Sequence, residues 1–207
     1  MTCVALPSND DLPAWLEEDR RSQDRTRTIY CHGKIMVSGT EQICQIRNIS
    51  SRGISLESRG LPQPGQRVKI EMRGMEPAST VVVWREQTRC GLVFEEEQDI
   101  EAIFDRRRGT AGQQPRGPRF SLRLPVEFAS REDTRVLEIL DISVGGLKLR
   151  GDVRAQAGSH AVVRMAGVVD ELRGRVCWKR GDAVGFRFDQ ALPRGDLFNI
   201  LNCWAEA

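Results

Sequence analysis

Histidine is scarce in this sequence, which contains only His32 and His160 among its 207 residues. Neither lies near a serine or cysteine in a recognisable nucleophile motif, and the phosphate-binding pattern GxxxxGK followed by Ser or Thr is absent. Neighbouring carboxylates such as Asp10 and Asp11 lack a partner suited to acid–base catalysis. The sequence therefore predicts a protein that is not an enzyme and that needs no cofactor.

Paired cysteines and long apolar runs are also missing. The six cysteines are scattered singly, without a CxxC pair or a histidine-rich neighbourhood. This spacing argues against zinc and favours reduced, mostly buried thiols. No apolar run approaches the ~18 to 20 residues that span a bilayer, and the first residues lack the pattern of a signal peptide. We therefore expect a cytoplasmic protein without membrane insertion.

Aromatic residues and net charge are both low, at 6% of the chain and +2 respectively. Proteins that bind single-stranded nucleic acid usually place aromatic side chains along a basic strand face. This composition therefore gives no reason to expect DNA or RNA as a partner. Charged residues at 29% and hydrophobic residues at 40% are typical of a globular protein.

The chain contains an internal repeat, which changes how every other feature is interpreted. Segment 45–58 aligns with segment 138–151 at a constant offset of 93 residues. After one inserted residue the alignment continues at an offset of 94, where Trp84, Gly91 and Phe94 fall on Trp178, Gly185 and Phe188. The chain is therefore interpreted as a tandem duplication.

Each repeat has short alternating apolar runs separated by turn residues, a pattern that favours a small closed barrel. Segments 98–107 and 193–205 then show helical spacing of apolar residues and are expected to pack on the protein itself. The predicted fold is mainly β, with two tandem small antiparallel six-stranded β-barrels, each followed by a short α-helix. Trp84 and Trp178 lie on apolar strands and are expected in the cores.

The repeat also predicts the domain organisation. We expect an N-terminal tail at 1–19, a first domain at 20–107, a linker at 108–118 and a second domain at 119–207. The linker is rich in Gly, Pro and Gln and should be mobile without a ligand. Because it leads directly into the second domain, its ordering on a ligand would also change how the two domains are arranged.

Arginine is concentrated in residues 106–123, which contain six arginines and no acid. Such a local excess produces a positive potential, and the planar guanidinium suits bidentate contacts to phosphate oxygens or a guanine edge. Two of these arginines, Arg119 and Arg123, lie four positions apart before a predicted strand. On their own they could be solvated charges, but an anionic ligand is the more informative interpretation.

A second motif follows one hairpin later, where Asp141 and Ser143 precede two glycines between apolar runs. This composition is typical of a turn whose side chains and backbone amides can reach a bound group. An ordinary hairpin turn would have the same composition. Gly145 and Gly146 would permit close approach and a positive φ.

Together, Arg119-x-x-x-Arg123 and Asp141-x-Ser143-x-x-Gly146 resemble the motif pair of PilZ domains, bacterial receptors for the second messenger cyclic di-GMP. Runs 176–178 and 184–188 also resemble the closing strands of that family. The resemblance implies ligand binding by the two arginines and by the turn. The implied ligand-binding residues are Arg119, Arg123, Asp141, Ser143, Gly145 and Gly146, with Arg116 as an additional helper from the linker.

The first repeat retains only part of this pattern, with Asn48, Ser50 and Gly53 at the turn. At the offset of 93, Arg123 falls on Tyr30. The nearest pair of correctly spaced arginines lies five residues farther from its turn, and an insertion near 37–41 could absorb the difference. The second-site candidates are therefore Arg21, Arg25, Asn48, Ser50 and Gly53, with Arg27 as a substitute for one arginine. Acids nearby should weaken anion binding, so this repeat is either a weaker second site or a degenerate copy.

The resemblance implies a non-enzymatic cyclic di-GMP receptor or adaptor in bacterial signalling. Ligand binding would change the interdomain arrangement and the contact with an unidentified downstream protein, or self-association as a homodimer. The alternative is a PilZ-like interaction scaffold that binds no ligand. A barrel that binds single-stranded nucleic acid through its basic segment ranks behind both.

Overall fold

The computed structural model describes residues 26–108, 116–165 and 169–202. The chain divides into two compact units, Met1–Pro115 and Arg116–Ala207. Each unit is a closed barrel of six antiparallel strands followed by one helix. The predicted fold class is therefore confirmed.

The strands of the first barrel pair in the order β1-β2-β3-β6-β5-β4 and close by pairing β4 with β1. The elements are β1 (Arg27–Val37), β2 (Thr40–Ile49), β3 (Gly53–Glu57), β4 (Arg67–Met72), β5 (Met75–Glu86), β6 (Arg89–Phe94) and α1 (Ile100–Arg108).

The second barrel repeats this topology in the order β10-β11-β12-β9-β8-β7. Its elements are β7 (Phe120–Ser130), β8 (Thr134–Ser143), β9 (Gly146–Arg150), β10 (His160–Met165), β11 (Val169–Arg180), β12 (Ala183–Phe188) and α2 (Arg194–Asn202).

Alternation of apolar and polar residues produces these barrels. Along β7 every second residue from Phe120 to Phe128 is buried, and the residues between them are exposed. Successive side chains on a strand point to opposite faces, so one face of each strand fills the barrel interior. There Phe128 packs edge-on against Phe186, with 6.1 Å between ring centroids.

The two barrels share their register in detail. A bulge interrupts β1 between Thr28 and Cys31, and the matching bulge lies between Ser121 and Leu124 of β7, 93 residues later. In the first barrel Met72 pairs with Met75, whereas Met165 of the second pairs with Val169. The extra residue that changes the offset from 93 to 94 therefore falls in the connection between β10 and β11.

Both helices bury apolar side chains. Ile103 of α1 belongs to the core of the first barrel, and Leu197 and Ile200 of α2 are fully buried. These contacts confirm that the apolar faces of both helices are used for packing. Within the described ranges, no helix has the length and apolarity needed to cross a membrane.

The strand pair that closes each barrel contains a cross-strand ion pair, and the polarity of this pair differs between the two barrels. Lys34 on β1 lies opposite Glu71 on β4, with 3.1 Å between Nζ and Oε2. At the matching place, Glu127 on β7 lies opposite Arg164 on β10, and Arg164 donates to its carboxylate. We refer to the β1–β4 and β7–β10 pairs as the closure seams. They have the same geometry and opposite charge patterns.

The described cysteines are all free, but they are not uniformly buried. Cys44 and Cys90 lie in the core of the first barrel, whereas Cys177 is exposed on β11. Desolvation raises the pKa of both buried thiols, that of Cys90 to about 11. The prediction of mostly buried thiols therefore fits Cys44 and Cys90 but is wrong for Cys177.

Candidate functional site

The turn between β8 and β9 is a tight hairpin in which Ser143 pairs with Gly146. Ser143 is buried, and its Oγ donates to the carbonyl oxygen of Gly146 at 3.3 Å. The hydroxyl therefore braces the hairpin from within. Val144 and Gly145 form the tip, where Gly145 is exposed.

The two glycines of this turn have different structural roles. Neither glycine has a positive φ, so this turn does not use the conformational freedom that they permit. A Cβ on Gly146 would lie 2.2 Å from the carbonyl oxygen of Phe186, so any side chain would push β12 away. A Cβ on Gly145 would meet nothing within 4 Å. Close backbone packing explains Gly146, and Gly145 leaves the tip uncovered.

Backbone hydrogen bonds fix the turn to the segment that precedes α2. Phe188 donates its amide to the carbonyl oxygen of Gly145 at 3.1 Å, and Leu192 donates to that of Val144 at 2.8 Å. The first barrel has the same two bonds, from Phe94 to Arg52 and from Gln98 to Ser51. The position of the turn is thus set by the fold in both barrels.

Asp141 binds the first motif arginine. Arg119 forms an ion pair with Asp141, and their side chains are 38% and 24% exposed. Asp141 lies between Ser121 on β7 and Lys148 on β9. In this structure the carboxylate of Asp141 therefore holds the guanidinium of Arg119.

Arg123 lies at the β7 bulge and points outward. Residues 122 and 123 together oppose Leu140, so Leu122 is buried while the side chain of Arg123 is 64% exposed. Its guanidinium is 3.8 Å from Glu138, whose carboxylate also accepts a hydrogen bond from Arg150. Both motif arginines are therefore paired with acids on β8.

The segment before β7 passes beside the turn. A Cβ on Gly117 would lie 3.9 Å from the side chain of Val144, and the following Pro118 is buried. Arg116 is exposed at the start of this segment. The structure thus places residues 116–119 and the turn at one end of the second barrel. The linker residues 109–115 lie outside the described part of the chain.

A lateral row of residues extends from the motif across the barrel exterior. Asp141 lies opposite Lys148, Lys148 opposite Gly185, and Gly185 opposite Trp178. A Cβ on Gly185 would lie 2.2 Å from the indole, so the tryptophan rests on the glycine. Arg180 lies 5.9 Å from the centroid of the same ring.

The prediction that both tryptophans lie in the cores was wrong. Trp84 of the first barrel is 43% exposed and rests on Gly91, as Trp178 rests on Gly185. Lys148 and Trp178 were not among the candidate site residues. The glycine that accompanies each tryptophan at the same repeat offset was the signal that could have indicated an external indole.

The first barrel keeps the turn but not the arginines. Ser50 Oγ accepts from the amide of Gly53 at 3.2 Å, and Asn48 donates to Ser55 Oγ at 3.1 Å. The shared bulge places Tyr30 at the position of Arg123, where it is 64% exposed and Arg47 stacks 4.7 Å from its ring centroid.

Among the described residues of the first barrel, no second arginine joins Arg27 to complete the motif pair. The hairpin near 37–41 has a two-residue turn, Ser38–Gly39, so the proposed insertion is not there. Arg21 and Arg25 lie outside the described residues. Arg27 pairs with Glu101 and lies 4.9 Å from the ring centroid of Phe104, so α1 engages its guanidinium. Within residues 26–108, 116–165 and 169–202, no group of three or more His, Cys, Asp or Glu residues could hold a metal ion.

Comparison with family models gives one match. The model described as PilZ domain matches residues 19–106 and again residues 113–204. The two matches together cover most of the chain and coincide with the two repeats. No curated protein matched this sequence.

Several solved structures resemble the chain. PlzA of Borreliella burgdorferi, solved in complex with c-di-GMP, is 11% identical, with 86% of this chain and 93% of PlzA covered and a TM-score of 0.38. The c-di-GMP complex of K. pneumonia MrkH is 13% identical, with 85% and 86% covered and a TM-score of 0.34. The Bacillus subtilis inhibitor of motility, MotI/DgrA, is 11% identical, with 87% and 96% covered and a TM-score of 0.32. At these scores the likenesses carry no argument about function.

Proposed function

Because the chain belongs to the PilZ domain family through both of its barrels, we propose that it is a receptor for cyclic di-GMP. The observation that carries the proposal is the pairing of Arg119 with Asp141 beside the braced turn of the second barrel. This ion pair joins the arginine motif to the turn motif at one end of the second barrel. A receptor of this kind needs no catalytic group and no cofactor.

The chemistry of the proposed site matches the ligand. A cyclic dinucleotide presents two phosphodiesters and guanine O6 and N7 acceptors, all of which suit the fork of Arg119 or Arg123. Asp141 can accept from guanine N1–H or N2–H once Arg119 has turned to the ligand. Gly145 leaves the tip open for close approach.

Binding would replace ion pairs rather than fill a rigid pocket. The side chain of Arg119 is 38% exposed and that of Arg123 is 64% exposed, so their pairs with Asp141 and Glu138 are solvent-screened and contribute little stability. A phosphodiester can therefore displace the carboxylates at low cost. We propose that the arginines exchange acids on β8 for ligand phosphates.

The proposed effect of ligand binding on the rest of the protein follows from the position of residues 108–118 between the two domains. Residues 108–118 lead directly into Arg119, so ordering of this segment on the ligand would change the arrangement of the two domains. We propose that this change alters contact with an unidentified downstream protein in the cytoplasm, or self-association as a homodimer. The proposal includes neither DNA or RNA as a partner nor insertion into a membrane.

For the first barrel we propose a degenerate copy that contributes to partner contact. Tyr30 replaces the second motif arginine, and Arg27 is engaged by α1. Arg21 and Arg25 remain candidates for a weaker site with Asn48, Ser50 and Gly53.

Calorimetric titration of the purified chain with cyclic di-GMP tests the proposal. We expect tight binding by one ligand species per chain, lost in Arg123→Ala with an unchanged far-ultraviolet circular dichroism spectrum. Arg131→Ala is the matched control, because Arg131 is an exposed arginine at the hairpin between β7 and β8. No binding by the wild-type chain at micromolar concentration would favour the ligand-free scaffold.

A further inference from the structure

Two arginines lie side by side on the exterior of the second barrel, on the β9 side of the motif turn. His160 on β10 lies opposite Arg175 on β11, and Arg175 lies opposite Arg187 on β12. Arg187 in turn lies opposite Gly146, the partner of Ser143 in the turn. We call Arg175 and Arg187 the arginine strip. Both side chains are exposed.

The strip is unusual because two arginines without an acidic partner among the described residues lie directly opposite each other on neighbouring strands. Like charges directly opposite one another on neighbouring strands destabilise a sheet. Within the described ranges, neither Arg175 nor Arg187 forms an ion pair, and the exposed Asp189 nearby pairs with neither. Other exposed arginines on this barrel do pair with acids, namely Arg135, Arg150, Arg164 and Arg173.

The first barrel shows that the fold does not need these arginines. At the matching register Val81 lies opposite Val93, and Val93 lies opposite Gly53 of the first turn. A valine pair suits a pleated sheet, because its branched side chains pack well across strands. Arg67, which matches His160, is neutralised by Glu95 at 2.9 Å. The unpaired strip therefore belongs only to the barrel with the complete motif.

The strip and the motif arginines lie on opposite sides of the turn. Arg119 and Arg123 approach it from β7, whereas Arg187 lies on β12, one strand spacing of about 5 Å from β9. We propose that the arginine strip is a second anion-binding element of the ligand site and takes a phosphodiester. The inference rests on the proposed function, since the phosphodiester is that of a cyclic dinucleotide bound over the turn.

The chemistry explains why two arginines would stand opposite one another. Their guanidinium groups can each donate to a non-bridging oxygen of one phosphodiester, and the anion removes the repulsion between them. The phosphodiester could belong to the dinucleotide held by Arg119 and Arg123 or to a second dinucleotide molecule. Both sources offer the same phosphodiester, and the number of dinucleotides bound per chain distinguishes them.

The test replaces the strip with the residues of the first barrel. The variant Arg175→Val/Arg187→Val is titrated with cyclic di-GMP by calorimetry at low and high salt. Loss of two charge-assisted contacts should weaken binding by about ten-fold or more at low salt, and the salt dependence should become shallower. Circular dichroism should show an unchanged fold, because the first barrel forms with valine at both positions.

A double variant with the same change in charge serves as the control. Arg131→Val/Arg154→Val also removes two exposed arginines without ion pairs, both near the opposite end of the barrel from the turn. It should bind cyclic di-GMP with the affinity of the wild type. An equal loss of affinity in both double variants would mean that only the net charge matters. That result would overturn the proposal that the arginine strip binds the ligand.

The outcomes separate this inference from the proposed function. If Arg175→Val/Arg187→Val binds cyclic di-GMP with the affinity of the wild type, the proposed role of the strip is overturned and the proposed receptor function stands. Wild-type protein that does not bind cyclic di-GMP overturns both. Weaker binding at unchanged stoichiometry assigns the strip to the first dinucleotide, and loss of one of two bound molecules assigns it to the second.

Discussion

The two barrels have the same backbone and differ in the side chains that would meet a ligand. Both have a serine-braced turn, the same two backbone bonds behind it and a tryptophan resting on a glycine. In the second barrel Arg119 and Arg123 lie beside the turn, whereas the shared register places Tyr30 of the first barrel at the position of Arg123. Both barrels thus form the same turn although the residues beside it differ.

This difference shows which half of the motif is informative about function. Ser50 and Ser143 both bond within their own hairpins, and Gly146 is required by the carbonyl oxygen of Phe186. The turn residues can therefore be retained for stability alone. Arg119 and Arg123 pair with acids on β8 at the surface, and the first barrel forms with Tyr30 at the position of Arg123, so the fold does not require an arginine there.

The largest expected effect is on ligand affinity in the second barrel. Arg119→Ala and Arg123→Ala should each weaken cyclic di-GMP binding about 10- to 100-fold, since hydrogen bonds to charged groups contribute roughly 1.5–3 kcal/mol. Calorimetry measures the loss. Tyr30→Ala changes the matching position of the first barrel and should leave affinity unchanged. Equal losses in both barrels would contradict the assignment of the site to the second.

The next effect is on stability. Gly146→Ala should lower the free energy of unfolding by about 2 kcal/mol, because overpacking against the Phe186 carbonyl moves the backbone. Urea denaturation measures the change. Gly53→Ala should cost less, since its Cβ would lie 3.0 Å from the Leu92 carbonyl oxygen instead of 2.2 Å. Gly145→Ala meets open space and is the control. A larger cost at Gly53 than at Gly146 would contradict the packing explanation.

A graft of arginines would test whether the backbones are interchangeable. In the Arg119→Ala/Arg123→Ala background, Thr26→Arg/Tyr30→Arg should restore about ten-fold in affinity for cyclic di-GMP. The same graft with lysine in place of arginine is the control, because lysine cannot form bidentate contacts. No recovery with arginine would mean that the first turn differs in more than its missing arginines.

The smallest effect concerns the thiols. Burial raises the pKa of Cys44 and Cys90, so their thiolate fraction at pH 8 is small, whereas Cys177 is exposed. A thiol reagent should label Cys177 before Cys44 and Cys90 in the folded chain, as read by peptide mass spectrometry. Raising the pH toward about 11, the pKa of Cys90, should increase its labelling. Equal labelling of all three at pH 8 would contradict the burial of the first-barrel thiols.

Much of the fold was predictable because the repeat doubles every signal. Two copies of an alternating pattern at offsets of 93 and 94 specify six strands and a helix in each unit. The two tryptophans were misplaced for one physical reason. A bulge between Val82 and Trp84, and its counterpart between Val176 and Trp178, shifts the alternation by one residue. Residues that share a face in a regular strand then point to opposite faces.

The site was only partly predictable. Sequence spacing identified Arg119, Arg123 and Asp141, but it could not show that Glu138 and Arg150 form a network with Arg123, because those contacts depend on cross-strand pairing. The same dependence hid the arginine strip, whose two members lie 12 positions apart in sequence but directly opposite each other in the sheet.

The closure seams have a consequence for assembly of the chain. Adjacent domains of similar sequence are prone to exchanging strands while they fold. If β1 paired with β10, Lys34 would face Arg164, and if β7 paired with β4, Glu127 would face Glu71. Either exchange places like charges directly opposite each other, which opposes pairing. The inverted polarity therefore selects the correct partner strand, and the double reversal Lys34→Glu/Glu71→Lys should lower the yield of refolded monomer.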